Sequence, residues 1–315
     1  IQKLVLQYQM SRYFMRPKVI SLFSIISITL LIVVYFHSIR KNEISFTERP
    51  NILFIMSDDH AESAISAYGS KLINTPNIDR IAKEGIIFNN SFVTNSICAP
   101  SRAVLLTGKY SHINGVRDND QVFDGNQETF PKILQSAGYE TAMIGKWHLK
   151  SEPTGFNYWK ILKGQGEYYN PLIVDNAGER NVEGYVTDII TDLALETLES
   201  RDKDKPFAML VHHKAPHRNW MPNLKYLGTF KDRKFPLPET FYDDYSTRTA
   251  AARESDMRID DMFLTWDMKL RPDDIEQETG SGGSGQVSGM IRDSYREWMN
   301  DEQREAWEAY YDQIS

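Results

Sequence analysis

The chain has 315 residues, of which 41% are hydrophobic and 25% are charged, and both shares are typical of a globular protein. The formal net charge is −7 and no basic stripe runs through the chain, which argues against a nucleic-acid partner. The single cysteine excludes a scaffold of internal disulfides.

The N-terminal stretch has the organisation of an export signal. A charged segment begins at Met15, which we interpret as the start of the protein. Residues 1–14 are then interpreted as translated upstream sequence. No residue from 19 to 36 is charged, so we assign 15–40 as either a signal peptide or a signal anchor that would hold the protein at a membrane. A polar tether at 41–49 follows. These features predict a protein of the periplasm, the cell surface or the medium.

The first predicted strand, at 50–56, is apolar from residue 52 onwards and leads into two adjacent carboxylates. Such strands belong in the middle of a parallel sheet. In open α/β sheets chemistry collects at the carboxyl ends of the strands, where Asp58 and Asp59 offer hard oxygen ligands for Ca²⁺ or Mg²⁺. An isolated Asp-Asp pair is, however, more often a turn or a helix cap. A helix capped by Thr75 and ending at Gly85 is expected to pack its apolar face on the sheet.

Residues 96–108 contain the cysteine, in the pattern Cys-x-Pro-Ser-Arg followed by Ala-x-Leu-Leu-Thr-Gly. Pro100 suits the first turn of a helix and Gly108 the position past its last turn, so a helix from Pro100 to Thr107 is predicted. Cys98 would then lie at the positive end of this helix, which stabilises a thiolate and holds oxyanions such as sulfate. The alternative is a lone buried cysteine that acts as a small hydrophobe.

Strands and helices alternate along the rest of the chain, which predicts an α/β sheet with helices on both faces. The predicted elements are a strand at 86–93, a helix at 129–137, a strand at 139–144, a helix at 187–200, a strand at 206–211 and a helix at 247–263. We expect a packed surface loop for most of 149–181, a flexible linker at 279–289, and short helices capped near Asn300.

Two further motifs follow predicted strands. Gly-Lys-Trp-His comes after the strand at 139–144, and because residues i and i+2 of an extended segment point the same way, Lys146 and His148 can face one pocket. His212, His213 and His217 follow or end the strand at 206–211. Their spacing alone would suggest a transition-metal site.

Taken together and in this order, the motifs resemble the type I sulfatases of the alkaline-phosphatase-like superfamily. The resemblance implies a mixed, largely parallel sheet flanked by helices. It covers 50–315 as the N-terminal part of a catalytic domain, before the family's late strands, its second metal-binding pair and its C-terminal subdomain. On this interpretation, residues 1–315 by themselves are expected to be inactive.

The resemblance also implies the chemistry. In that family a formylglycine-generating or anaerobic sulfatase-maturating enzyme oxidises the cysteine to formylglycine, whose hydrate attacks the sulfur of a sulfate ester. The residues that match the family's catalytic set are Cys98, Arg102, Lys146, His148 and His217. Lys146 and His217 would also bind the substrate sulfate. A Ca²⁺ ion would be held by Asp58, Asp59 and the modified Cys98.

The sequence Lys-Ala-Pro-His-Arg-Asn-Trp at 214–220 is similar to the corresponding stretch of sulfatases that act on 6-sulfated N-acetylglucosamine of glycosaminoglycans or mucins. A sulfated carbohydrate is therefore the expected substrate. Two alternatives stay open. One is a phosphonate or phosphodiester hydrolase of the same superfamily, and the other is a non-catalytic, membrane-tethered glycan-binding protein.

Overall fold

The computed structural model describes residues 49–255, 267 and 298–314. The predicted export signal and the linker at 279–289 lie outside the described residues. The predicted helix at 247–263 is described only as far as residue 255. Among the described residues no helix combines the length and the apolar character needed to cross a bilayer.

Six strands form one sheet: β1 (Ile52–Met56), β2 (Glu140–Gly145), β3 (Tyr158–Leu162), β4 (Leu172–Asp175), β5 (Gly178–Asn181) and β6 (Phe207–His212). Their spatial order is β1-β6-β2-β3-β4-β5. The first four strands in that order are parallel, and β4 and β5 continue the sheet antiparallel. Met56 and Gly145 both pair with His212, so the carboxyl ends of β1, β6 and β2 lie at one level.

Seven α-helical segments accompany the sheet in the described residues: α1 (Pro76–Glu84), α2 (Cys98–Thr107), α3 (Ser111–Asn114), α4 (Phe130–Ser136), α5 (Val186–Ser200), α6 (Ala250–Arg253) and α7 (Asp301–Ile314). The start of α7 near Asn300 confirms the predicted cap. The Asn300 side chain accepts from the backbone N–H of Gln303 at 2.9 Å, and the Gln303 side chain accepts from the N–H of Asn300 at 2.9 Å. This reciprocal pair satisfies two N–H groups at the start of the helix.

Side-chain alternation along β2 and β6 builds a core on each face of the sheet. On one face the strand residues that pack with α5 are Ala142, Ile144, Met209 and Val211. On the other face Met143 and Leu210 pack with Ala99, Ala103 and Leu106 of α2. Helices therefore cover both faces, which confirms the predicted α/β architecture. The packing of α2 also fixes its first residue beside the carboxyl ends of the strands.

The position of β1 differs from the prediction. We expected the middle of the sheet, but β1 pairs only with β6 among the described strands and lies at the edge. Leu53 and Ile55 are 47% and 57% exposed. Because α5 packs on β2 and β6, the corresponding face of β1 is left open. An apolar run predicts a buried strand but does not identify its neighbours.

Two predictions between residues 75 and 93 are wrong. The apolar face of α1 does not pack on the sheet, since Ile78 and Ile81 are both exposed. Residues 86–93 form no strand, and Phe92 is 91% exposed. A hydrophobic pattern shows which face an element would bury, whereas burial itself requires a surface that covers that face.

The expected loop at 149–181 is also wrong, because β3, β4 and β5 lie within it. β3 and β4 bury Ile161, Leu162 and Ile173 in the two cores. β5 consists of four exposed residues, so it has no hydrophobic pattern that would predict a strand. β5 is a strand because it pairs antiparallel with β4, and the pair nearest the turn is Asp175 with Gly178.

Candidate active site

Asp58 occupies the centre of a buried cluster of charges directly after β1. Its backbone N–H donates to the carbonyl of Ala215 at 3.1 Å, which ties the end of β1 to the segment after β6. Lys146 donates from Nζ to Asp58 Oδ2, and Arg102 Nη2 lies 3.4 Å from the same oxygen. All three side chains are buried. One carboxylate thus compensates two buried cations.

Lys146 enters this cluster because of the residue before it. Its backbone N–H donates to the carbonyl of His212 at 2.8 Å, one step past the paired end of β2. Gly145 has φ +96°, and a Cβ atom there would lie 2.1 Å from the His212 carbonyl oxygen. Glycine is therefore required where the lysine turns inward. Burial lowers the pKa of Lys146, and the Asp58 carboxylate opposes that shift.

Cys98 begins α2 and faces the same cluster. Its Sγ lies 3.7 Å from His217 Nε2 and 4.0 Å from Lys146 Nζ. The expectation of a stabilised thiolate is wrong, because burial raises the pKa of the Cys98 thiol more than Lys146 lowers it. The unmodified residue is therefore a protonated thiol at neutral pH and a poor nucleophile.

Arg102 fixes the end of β2 relative to α2. Its Nη1 donates to the carbonyl of Lys146 at 2.5 Å and lies 3.0 Å from His212 Nδ1. Of the two histidines at the end of β6, His212 is therefore the one that hydrogen-bonds through its ring. The three histidines of this stretch do not converge on one point. Among the described residues, only His217 joins a group of potential ligand atoms.

His217 is held by the segment before β4. The Tyr168 hydroxyl donates to the His217 carbonyl at 2.5 Å, and the His217 N–H donates to the carbonyl of Lys214 at 3.0 Å. Its Nε2 lies 3.7 Å from Asp59 Oδ2, and the Asp59 side chain is 60% exposed. Burial, reinforced by Lys146, lowers the pKa of His217.

His148 lies in the same electrostatic environment, in a backbone conformation with φ 57°. Its Nδ1 is buried and has no hydrogen-bond partner among the described residues. Burial first, and the charges of Lys146 and Arg102 next, lower its pKa to about 4. The imidazole is therefore neutral at neutral pH and able to accept a proton.

The shifted pKa of His148 predicts a pH dependence of stability. The folded form resists protonation between the ordinary pKa of 6.5 and about 4, whereas the unfolded form does not. Its contribution to stability is present above pH 6.5 and is lost as the pH falls towards 4. We expect His148→Gln to reduce the difference in stability between pH 7 and pH 5, measured by urea unfolding. The exposed His112, replaced by Gln, is the control, and an equal effect of both variants would contradict the assignment.

The structure therefore brings the predicted residues together. Contacts within 4 Å connect six of them: Asp58, Arg102, Lys146, Cys98, His217 and Asp59. The charges of Lys146 and Arg102 act on His148. Two residues of the site, Tyr168 and Lys214, were not predicted from the sequence. The signal for Lys214 was its place between the histidines of 212–217. Tyr168 lies in a stretch for which the sequence predicted only a loop.

The chain is similar to known proteins in both sequence and structure. The sulfatase family model matches residues 50–268. The chain belongs to the sulfatase family. This confirms the family resemblance that the motifs predicted, including the α/β fold.

This member of the sulfatase family is similar to several proteins that are named as sulfatases. It is 56% identical over 228 residues to an N-acetylglucosamine-6-O-sulfatase of Bacteroides thetaiotaomicron, over 71% of this chain and 41% of that protein. It is 31% identical over 222 residues to human N-acetylglucosamine-6-sulfatase, over 62% of this chain and 39% of that protein. The solved structure of BT4656, in complex with its substrate D-glucosamine-2-N,6-O-disulfate, matches with a TM-score of 0.76 and 49% identity. That match covers 85% of this chain and 53% of BT4656. The chain thus spans about half, or less, of the length of these relatives.

Proposed function

We propose that this chain contributes the active centre of a sulfuric ester hydrolase that removes the 6-sulfate of N-acetylglucosamine or a related glucosamine in a sulfated glycan. The observation that supports the proposal most is the contact of Cys98 with both Lys146 and His217 in a member of the sulfatase family. The substrate class follows from the relatives at 56% and 49% identity.

The residues of the site have distinct tasks in this proposal. Formylglycine derived from Cys98 would supply the nucleophilic hydroxyl, and a Ca²⁺ ion held by Asp58 and Asp59 would neutralise charge on the sulfate. Lys146 binds a sulfate oxygen. His217 stabilises or protonates the leaving oxygen of the sugar, and the neutral His148 accepts a proton as sulfate is released. Arg102 holds α2 against the end of β2 so that these groups keep their spacing.

The residues around Asp58 fit a divalent ion. Potential ligand atoms of Asp58, Cys98 and His217 all lie within 4.8 Å of one another, and Asp59 adds a carboxylate beside His217. Asp58 and Asp59 supply the hard oxygens that Ca²⁺ prefers, and an oxygen-bearing residue in place of the thiol improves the match. Ca²⁺ takes six to eight ligands, so these residues would fill part of its coordination shell.

We also infer that the protein is exported and modified by a maturation enzyme. The uncharged run at 19–36 supports export to the periplasm, the cell surface or the medium, with membrane anchoring through that run as one form. The Cys-x-Pro-Ser-Arg motif at 98–102, in a member of the sulfatase family, supports the modification of Cys98.

A chimera tests the activity. Residues 50–268 would replace the matching part of the Bacteroides thetaiotaomicron N-acetylglucosamine-6-O-sulfatase, with co-expression of a maturation enzyme. We expect release of inorganic sulfate from N-acetylglucosamine 6-sulfate. Cys98→Ala should reduce kcat on the order of 10⁶-fold, because the nucleophile is lost. His112→Ala is the matched control and should stay active.

Two outcomes of the chimera experiment would reject the proposal. A higher kcat/KM for phosphonates or phosphodiesters than for sulfate esters would favour the other hydrolase class. Binding of sulfated glycan by a folded chimera without turnover would favour the glycan-binding protein.

The modification of Cys98 can be measured directly. After co-expression of residues 1–315 with a maturation enzyme, peptide mass spectrometry should show loss of the thiol and an aldehyde that reacts with a hydrazine probe. Arg102, about one helical turn further along α2, should stay unmodified and serves as an internal reference. Detection of the unmodified cysteine alone would contradict the proposed nucleophile.

A further inference from the structure

Lys214 is a buried cation for which the structure provides little compensation. It follows β6 by two residues and is 4% exposed. Its Nζ donates one long hydrogen bond, 3.5 Å to the carbonyl of Gln165, and lies 4.9 Å from the centre of the Tyr168 ring. In the part of the chain that the structure describes, no carboxylate lies at ion-pair distance from it.

The energetics of this arrangement are unfavourable for an isolated protein. A buried charge without a counter-ion is strongly unfavourable, and a cation–π contact offsets only part of that cost. Lys146 and Arg102 differ, because they share Asp58. Glu167 is a neighbour whose charge acts on Lys214, but it forms no ion pair with it. The donors of the Lys214 ammonium are therefore available to another anion.

The Lys214 ammonium adjoins the charge cluster around Asp58 that is described above. The backbone of Lys214 accepts from His217, and Tyr168 contacts both residues. The charge of Lys214 acts on Lys146, Asp58 and Cys98. Lys146, Arg102 and Lys214 thus give this cluster three buried cations, and the buried carboxylate of Asp58 pairs with the first two. This excess of positive charge favours an anionic ligand.

We propose that Lys214 is a sulfate-binding residue, whose ammonium pairs with an oxygen of the substrate sulfate or of the product sulfate. The aromatic ring of Tyr168 and the carbonyl of Gln165 hold Nζ in place. This inference rests on the proposed function, since it assigns a further residue to the recognition of the sulfate group.

Thermal unfolding of residues 1–315 tests the proposal, with sodium sulfate as the probe and sodium chloride of equal ionic strength as the reference. Without sulfate, Lys214→Met should raise the Tm by about 2–4 °C, because it removes an uncompensated buried charge. The wild type should gain Tm with sulfate, and Lys214→Met should weaken the apparent sulfate affinity by about 10-fold or more. Lys214→Arg should retain most of the response. Lys163→Met, which removes an exposed lysine paired with Glu179, is the matched control and should respond like the wild type.

Three results would overturn the proposal. A lower Tm of Lys214→Met would show that the lysine stabilises the fold through Tyr168. An unchanged sulfate response of Lys214→Met would assign the anion to other groups. Absence of a sulfate response in the wild type would exclude an anion site in this chain. None of these measurements needs formylglycine or turnover, so an active chimera with a negative result here rejects only the role of Lys214.

Discussion

Replacing Asp58 by alanine is expected to lower the free energy of unfolding by about 3–5 kcal/mol, because two buried cations lose their common counter-ion. Lys146 and Arg102 both contact Asp58 Oδ2, and neither has another carboxylate partner among the described residues. Urea unfolding of residues 1–315 with and without the substitution measures the effect.

Asp59→Ala is the matched control for this prediction. The sequence predicts the same outcome for both variants, loss of a metal ligand without loss of the fold. The structure separates them, because the Asp59 side chain is 60% exposed and contacts only His217 among the ion pairs of the described residues. We expect Asp59→Ala to unfold like the wild type. Both variants should inactivate the chimera. Equal stabilities of the two variants would contradict the charge compensation by Asp58.

The second large effect is expected at Gly145. Alanine there should lower the free energy of unfolding by about 3 kcal/mol or more, since it combines a left-handed backbone conformation with a backbone clash. The added Cβ atom would lie 2.1 Å from the carbonyl oxygen of His212, which also accepts the N–H of Lys146. Relief of that clash requires β2 and β6 to separate directly before Lys146.

Gly164→Ala distinguishes the clash from the backbone conformation. Gly164 has φ +55°, and nothing lies within 4 Å of the position of its added Cβ atom. Its replacement should therefore cost only the penalty for the left-handed conformation, about 1–2 kcal/mol. Urea unfolding of the two variants side by side gives the comparison. A loss at position 164 as large as that at 145 would show that the close approach to His212 contributes nothing.

The sequence by itself determined the family and most of the local structure. The Cys-x-Pro-Ser-Arg motif, the carboxylate pair and the Gly-Lys-Trp-His motif each follow a recognisable local pattern. Helix caps and apolar periodicity depend on residues within one or two turns, so α2, α4, α5, β2 and β6 were predicted within about two residues of their bounds. The convergence of the motifs followed from the rule that parallel strands carry their sites at the carboxyl ends.

Tertiary structure decided which partner each surface and each charge receives. The edge position of β1, the exposure of the α1 face and the addition of β3 to β5 depend on pairing between segments distant in sequence. The same holds for the compensation of Lys146 and Arg102 by Asp58 and for the uncompensated Lys214. The sequence pattern gives the polarity of each side chain and its spacing from its neighbours along the chain. The energy of a buried charge depends instead on the groups that folding places around it, and these come from the whole chain.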